Sequence, residues 1–276
     1  MALDLVKAHA YGNDFLLTLD SSIDTELRRA WAKLLCDRHS GVGADGIIFY
    51  APTIAGAQMV LLNADGSDSE VSGNGLRCLA ALVACGGLAR GGWGLSPEVG
   101  RKMVIDTDAG PKAVTLQEVV DGRLVFEAEM GPPKDVRQEH LYVAGERHEV
   151  VALSVGNPQC VVLMQLPERS RFLKLGASLS LHDMFPEGTN VELAEVLSPN
   201  RVRILIWERG VGPTLASGTG ACAAAVAAAT FGGTGRDLEI EAPGGTQRVV
   251  WNKDGLALTG WAELVWSGQW AGHGPQ

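Results

Sequence analysis

Between residues 25 and 36 the chain reads TELRRAWAKLLC, with Leu27, Trp31, Leu34 and Leu35 recurring at three- and four-residue intervals among charged positions. That spacing places four apolar side chains on one helical face, and Asp24 stands where an N-cap would. The runs Ile47 to Tyr50 and Ala57 to Leu62 are short and apolar and read as strands. Leu76 to Leu88 differs from all of these, because it predicts a helix apolar nearly all round, which water cannot be allowed to reach. The same series then returns. Strands are expected at Leu124 to Glu129, Val150 to Val155, Cys160 to Met164 and Val202 to Trp207, followed by a second almost wholly apolar helix from Ala221 to Phe231. Further strands are expected at Leu238 to Glu241, Arg248 to Trp251 and Ala262 to Trp266.

The order of elements argues for an internal duplication: a mixed α/β (α+β) fold of two pseudo-symmetric halves, each with several strands and one central apolar helix. The halves are expected at 1–116 and 117–262, with a tail of about 263–276 returning to the first and a linker near Val114 to Gly122. A shared sequence mark supports the pairing. Ser72 to Gly75 reads SGNG and Ser217 to Gly220 reads SGTG, each just before an apolar helix. A helix start leaves about four backbone N–H groups without intrahelical partners, and glycines let the chain turn so that these donors face a small anion such as a carboxylate. The alternative is purely structural, with Ser72 and Ser217 as N-caps and the glycines allowing close packing.

Composition narrows the classes. Of 276 residues, 46% are hydrophobic and 20% charged, which is the profile of a globular protein rather than a disordered one. The net charge of -9, without a basic cluster, argues against nucleic acid. No signal-like N-terminus and no apolar run of 18 residues is present in the sequence, so a cytoplasmic protein that does not enter membranes is expected. Cys36, Cys78, Cys85, Cys160 and Cys222 are scattered without metal-ligand spacing, so buried reduced thiols are expected and no metal. Phosphate-loop signatures are missing from both glycine-rich segments.

Eight segments in order carry a family resemblance: YGNDF at Tyr11, RHSGVGADGI at Arg38, NADGS at Asn63, SGNGLRC at Ser72, GNPQ at Gly156, TNVEL at Thr189, ERGVGPT at Glu208 and SGTGACA at Ser217. Over nearly its whole length the chain resembles the diaminopimelate epimerase family of cofactor-independent amino-acid epimerases. The resemblance implies two halves, each a sheet wrapped around a central helix, with the ligand in the cleft between them. It implies that Asn13, Asn63, Asn157, Asn190 and Arg209 hold the distal amino-acid end, Arg209 forking onto its carboxylate. It further implies that Gly73, Asn74, Gly218 and Thr219 offer amides to the reacting carboxylate, with no cofactor and a homodimeric assembly. Asn63 and Asn190 have a plainer alternative, since asparagine at a turn or strand end often bonds only its own backbone.

The resemblance departs at the centre of the chemistry. Family members carry catalytic cysteines where Ser72 and Ser217 stand here, and usually a histidine at Gln159. A cysteine has a pKa of about 8.5, lowered at a helix start, whereas a serine hydroxyl needs a neighbouring base. Glu208, taken with the two serines as catalytic, is one candidate for that base, and Asp65, Asp68 and Glu70 are others. Cys78 and Cys222 fall inside the apolar helices and are expected to be buried. The function implied is interconversion of LL- and meso-diaminopimelate by two-base proton transfer. The alternatives are a relative with other proton-transfer or dehydratase chemistry, or an amino-acid binder whose catalysis is impaired.

Overall fold

The computed structural model describes residues 3–20, 24–68, 72–87, 96–108, 110–143 and 145–275. The chain forms two compact units, Met1–Ala128 with Gly260–Gln276, and Glu129–Thr259. The first contains β1 (Leu3–Ala10), β2 (Asn13–Leu19), α1 (Thr25–Cys36), β3 (Gly46–Pro52), β4 (Gly56–Asn63), α2 (Gly73–Ala84), β5 (Lys102–Thr107), β6 (Gly110–Val120) and the start of β7 (Arg123–Gly131). The second contains β8 (Lys134–Val143), β9 (Glu146–Ser154), β10 (Pro158–Leu163), α3 (Arg169–Ser180), β11 (Asn190–Ser198), β12 (Arg201–Glu208) and the short β13 (Gly212–Thr214). It continues through α4 (Gly218–Phe231), β14 (Asp237–Ala242), β15 (Gly245–Asn252) and the start of β16 (Gly255–Trp270), whose later residues pair with β1.

Pairing repeats step by step. In the first unit β1 and β2 are antiparallel, β2 and β3 parallel, β3 and β4 antiparallel, β4 and β5 parallel, and β5 and β6 antiparallel. In the second, β9 and β10, β10 and β11, β11 and β12, β12 and β14, and β14 and β15 follow the same alternation. The two parallel steps of each unit are crossovers through a helix, α1 and α2 in one and α3 and α4 in the other, as parallel neighbours require. The expected linker at 114–122 is occupied by most of β6 and its turn into β7, and the expected boundary at 116 falls within β6.

Each sheet has a helix on either side. On β3, Ile47 and Phe49 face α1 in one apolar cluster, and Ile48 on the opposite face lies beside α2. On β11, Val191 and Leu193 face α3, and Ala194 faces α4. Helix α2 contacts β1, β2, β4, β5 and β6, and α4 contacts β9, β10, β11, β12, β14 and β15. A helix surrounded in this way must be apolar around its circumference, which explains why Ala221 to Ala228 are all buried. Alanine also has the highest helix propensity and the smallest reach, so strands approach it closely.

Helix α1 starts as the sequence predicts, with the Asp24 carboxylate accepting from the Leu27 amide. Its buried face differs from the expected one: Trp31, Ala32, Leu35 and Cys36 are buried and Leu27 is exposed. Leu27 lies in the first turn of the helix. Helices α2 and α4 begin three residues earlier than the apolar runs suggest, at Gly73 and Gly218, because capping rather than hydrophobicity sets the start. Leu88, the expected end of the first apolar helix, lies outside the described residues.

Candidate active site

In the first unit Ser72 is the N-cap of α2, and its hydroxyl oxygen accepts from the Gly75 amide at 3.1 Å. The second residue of the helix, Asn74, is buried and held from both sides. Its side-chain amide donates to the Asn13 carbonyl at 3.1 Å, and its own carbonyl accepts from Arg77 at 2.6 Å. Asn13 donates in turn to Asp45 at 2.8 Å, and Asp45 and Asp14 both accept from Arg38. Arg77 is completely buried and packs over the Tyr11 ring, 5.8 Å from its centroid. Tyr11 takes a positive φ of 56° and Gly12 one of 87°, the two-residue hairpin turn that delivers Asn13 to the start of β2. Asn13 and Asn74 are thus fixed by a continuous chain of polar contacts from Arg38 to Arg77.

Charge in that chain is settled by pairing. Burial opposes ionisation of Asp14, but hydrogen bonds and positive charge from Arg38 and Lys7 outweigh it and hold the carboxyl at about 2. Asn63, at the end of β4, spends its side-chain amide on the Ser67 hydroxyl and the Asp68 carbonyl, the local bonding that asparagine at a strand end favours. Asp65 is occupied by the Ser67 amide and hydroxyl, which lower its pKa, and Asp68 pairs with Arg29. Glu70 lies outside the described residues.

In the second unit Ser217 is the N-cap of α4. Its hydroxyl oxygen accepts from the Gly220 amide at 3.2 Å, and the Thr219 hydroxyl lies 3.4 Å away. Strands β10, β11 and β12 pack against α4. Gln159 pairs in register with Asn190 and donates to the Asn157 side chain at 2.6 Å. Asn190 accepts from the Arg209 amide at 2.8 Å, and the Arg209 guanidinium donates to the Glu187 carbonyl at 2.9 Å. Glu208 is the last residue of β12, next to that arginine.

The side chain that sequence reading passed over is Glu192. It lies two residues beyond Asn190 on the same face of β11, is fully buried, and points into the first turn of α4: a Cβ on Gly220 would stand 2.5 Å from its Oε1. Burial raises its pKa well above the ordinary range, and the neighbouring charge of Glu208 raises it further. One signal was available, a glutamate embedded between Val191 and Leu193 in an apolar strand. All five cysteines are buried; burial pushes Cys36 up to about 12 and raises Cys78, Cys85 and Cys160 as well. None of these four is therefore a ready thiolate. Among the described residues no three His, Cys, Asp or Glu side chains come together as a metal site, and no helix is long and apolar enough to cross a membrane.

The fold is one that solved racemases and epimerases share. It matches a solved probable proline racemase from Agrobacterium radiobacter with a TM-score of 0.75 at 14% identity, covering 98% of this chain and 93% of that one. It also matches a hydroxyproline epimerase from Agrobacterium vitis, with a TM-score of 0.72 at 16% identity and coverage of 98% and 91%. The sequence is more specific: the chain belongs to the diaminopimelate epimerase family, whose model matches residues 5–136 and 151–265. It is 37% identical to the diaminopimelate epimerase of Desulforudis audaxviator over 97% of this chain and 99% of that relative. The diaminopimelate epimerase of Synechocystis is also 37% identical, with coverage of 98% and 99%. These relatives are named as epimerases and racemases.

Proposed function

We propose that the protein interconverts LL- and meso-diaminopimelate, the epimerisation that supplies lysine and peptidoglycan precursors. One observation carries the reading: the same helix start, a serine N-cap accepting from the third-residue amide, occurs once in each unit at matched places. Inversion at an α-carbon needs one group to take the proton from one face and a second to return a proton to the other. The reading assigns one of these roles to each helix start. The amides of Gly73, Asn74, Gly218 and Thr219 stabilise the carboxylate as charge develops on deprotonation. Asn13, Asn63, Asn157 and Asn190 orient the distal end, and Arg209 forks onto its carboxylate. Names of the curated relatives support the substrate. A cytoplasmic homodimer belongs to the same reading and is tested by sedimentation.

Serine is the demanding element, since its hydroxyl needs help to accept a proton. Glu208 is assigned that help at the Ser217 start. A second reading, a proton shift or elimination run from a single base, draws support from Glu192 at the α4 start, where the α2 start has Ile48 in the matching place. Incubation with each diaminopimelate isomer in deuterated buffer separates the readings. Deuterium at the α-carbon with inverted configuration is expected. Deuterium without inversion, or an unsaturated product, overturns the first reading in favour of the second.

A further inference from the structure

Glu192 has no part in the chemistry above, although a fully buried carboxyl is among the most expensive groups a core can hold. Isolating a carboxylate from water costs several kcal/mol even after relaxation. A glutamate nevertheless stands here where its counterpart in the first unit is an isoleucine. The correspondence follows from register: Phe15 pairs with Gly46 as Gln159 pairs with Asn190, and Ile48 pairs with Leu61 as Glu192 pairs with Ile206. Around Gly75 a Cβ would meet Ile48 at 3.4 Å and Leu61 at 3.6 Å, ordinary contacts, whereas at Gly220 it would collide with the Glu192 carboxyl.

We propose that Glu192 is a positioning residue for the Ser217 helix start, its carboxyl filling the space that a side chain at position 220 would take and acting as one of a pair with Glu208. Of the two, Glu192 keeps the proton, because it is the one sealed from water. The negative charge then resides on Glu208, which is left as the base. A protonated carboxyl also keeps an O–H donor beside the first turn, where a carboxylate could only accept. Two carboxyls with opposed protonation at one site are a recurrent way of obtaining an acid and a base from the same residue type. Glu208 on β12 and Cys160 on β10 both interact with Glu192, and burial and Glu192 together push the Cys160 thiol up.

The assignment rests on the proposed function only for its catalytic consequence, so the tests are separated. Amide resonances of Gly218, Thr219, Gly220 and Ala221 are followed by NMR against pH in the full chain. A transition well above the ordinary glutamate range is expected, lost in Glu192→Gln and moved to lower pH in Glu208→Gln. A transition that survives in Glu192→Gln overturns the assignment. Should Glu192→Gln not fold, the infrared spectrum of the unsubstituted protein decides: a protonated-carboxyl band is expected at neutral pH, and its absence overturns the proposal. In the exchange assay, Glu192→Ala should lower kcat by roughly 10-fold or more, the scale on which groups orienting a site act, with little change in KM. Glu192→Gln should restore it at neutral pH. A rate unaffected by Glu192→Ala overturns the positioning role, and loss of thermal stability without loss of kcat does the same. If diaminopimelate is not exchanged by any form, the functional reading fails while the amide titration still judges Glu192.

Discussion

The two helix starts share a motif, a cap and a place in the repeat, and differ in what lies beneath them. Under α2 the strands present Ile48 and Leu61, and the polar groups are amides and an arginine tied into a chain ending at Arg38. Under α4 the strands present Glu192, with Gln159, Asn190 and Glu208 at their ends. Duplication supplied two equal sets of backbone donors, and divergence of a few strand positions put an isoleucine beneath one and a buried carboxyl beneath the other. An anion needs only the donors, so binding requires no asymmetry. Proton transfer by serine does, because a hydroxyl is a poor acid and a poor base without a neighbour.

The largest test of this contrast replaces both hydroxyls by thiols. Ser72→Cys with Ser217→Cys should raise epimerisation by roughly 10²–10⁴-fold, the range a positioned acid–base group contributes. The gain should be greater at the α2 start, to which no carboxylate base is assigned, so Ser72→Cys alone should enhance turnover more than Ser217→Cys alone. Product stereochemistry and α-deuterium content of all four proteins measure it; equal single-variant rates would erase the asymmetry. Next in size, Gly220→Ala should destabilise by about 1–3 kcal/mol through overpacking, while Gly75→Ala, with only ordinary contacts at 3.4 Å and beyond, should change stability by less than about 1 kcal/mol. Denaturant melts of the two variants test this directly.

The units should also respond to pH in opposite senses. Asp14 has a lowered pKa of about 2, so its contribution to stability is present above the ordinary aspartate value of 3.8 and lost as pH falls toward 2. Glu192 has a raised pKa, so its contribution is complete below the ordinary glutamate value of 4.5 and lost as pH rises toward its folded value. Calorimetry across pH should show Asp14→Asn flattening the acid limb and Glu192→Gln the limb above it. The smallest effect concerns the outer helices. Asp24 caps α1 by its side chain whereas Glu168 makes no such bond at α3, so Asp24→Ala should cost about 1 kcal/mol and Glu168→Ala a few tenths at most.

Repetition was visible in the sequence because a helix buried on all sides must be apolar on all sides, and two such helices behind the same four-letter pattern leave few architectures open. The cap at Asp24 and the helix at Thr25 were legible for the same local reason. Much of the remaining strand structure was not: β5, β6 and β8 mix exposed and buried positions, and β1 is completed by β16, far along the chain. Amphipathic spacing likewise put Leu27 on the buried face of α1, whereas in the folded chain it is exposed.

What the sequence determined by itself is what short-range chemistry fixes: two capped starts, two buried helices and the residue types offered around them. The tertiary structure decided which of those residues meet. It tied Asn63 to its own turn, linked Asn13 to Asn74 across 61 residues, and brought a glutamate quoted only as part of a motif to the first turn of α4. Burial, charge and proton affinity are properties of surroundings assembled from distant segments. A buried glutamate and an exposed one are the same letter until the strands that enclose them are in register.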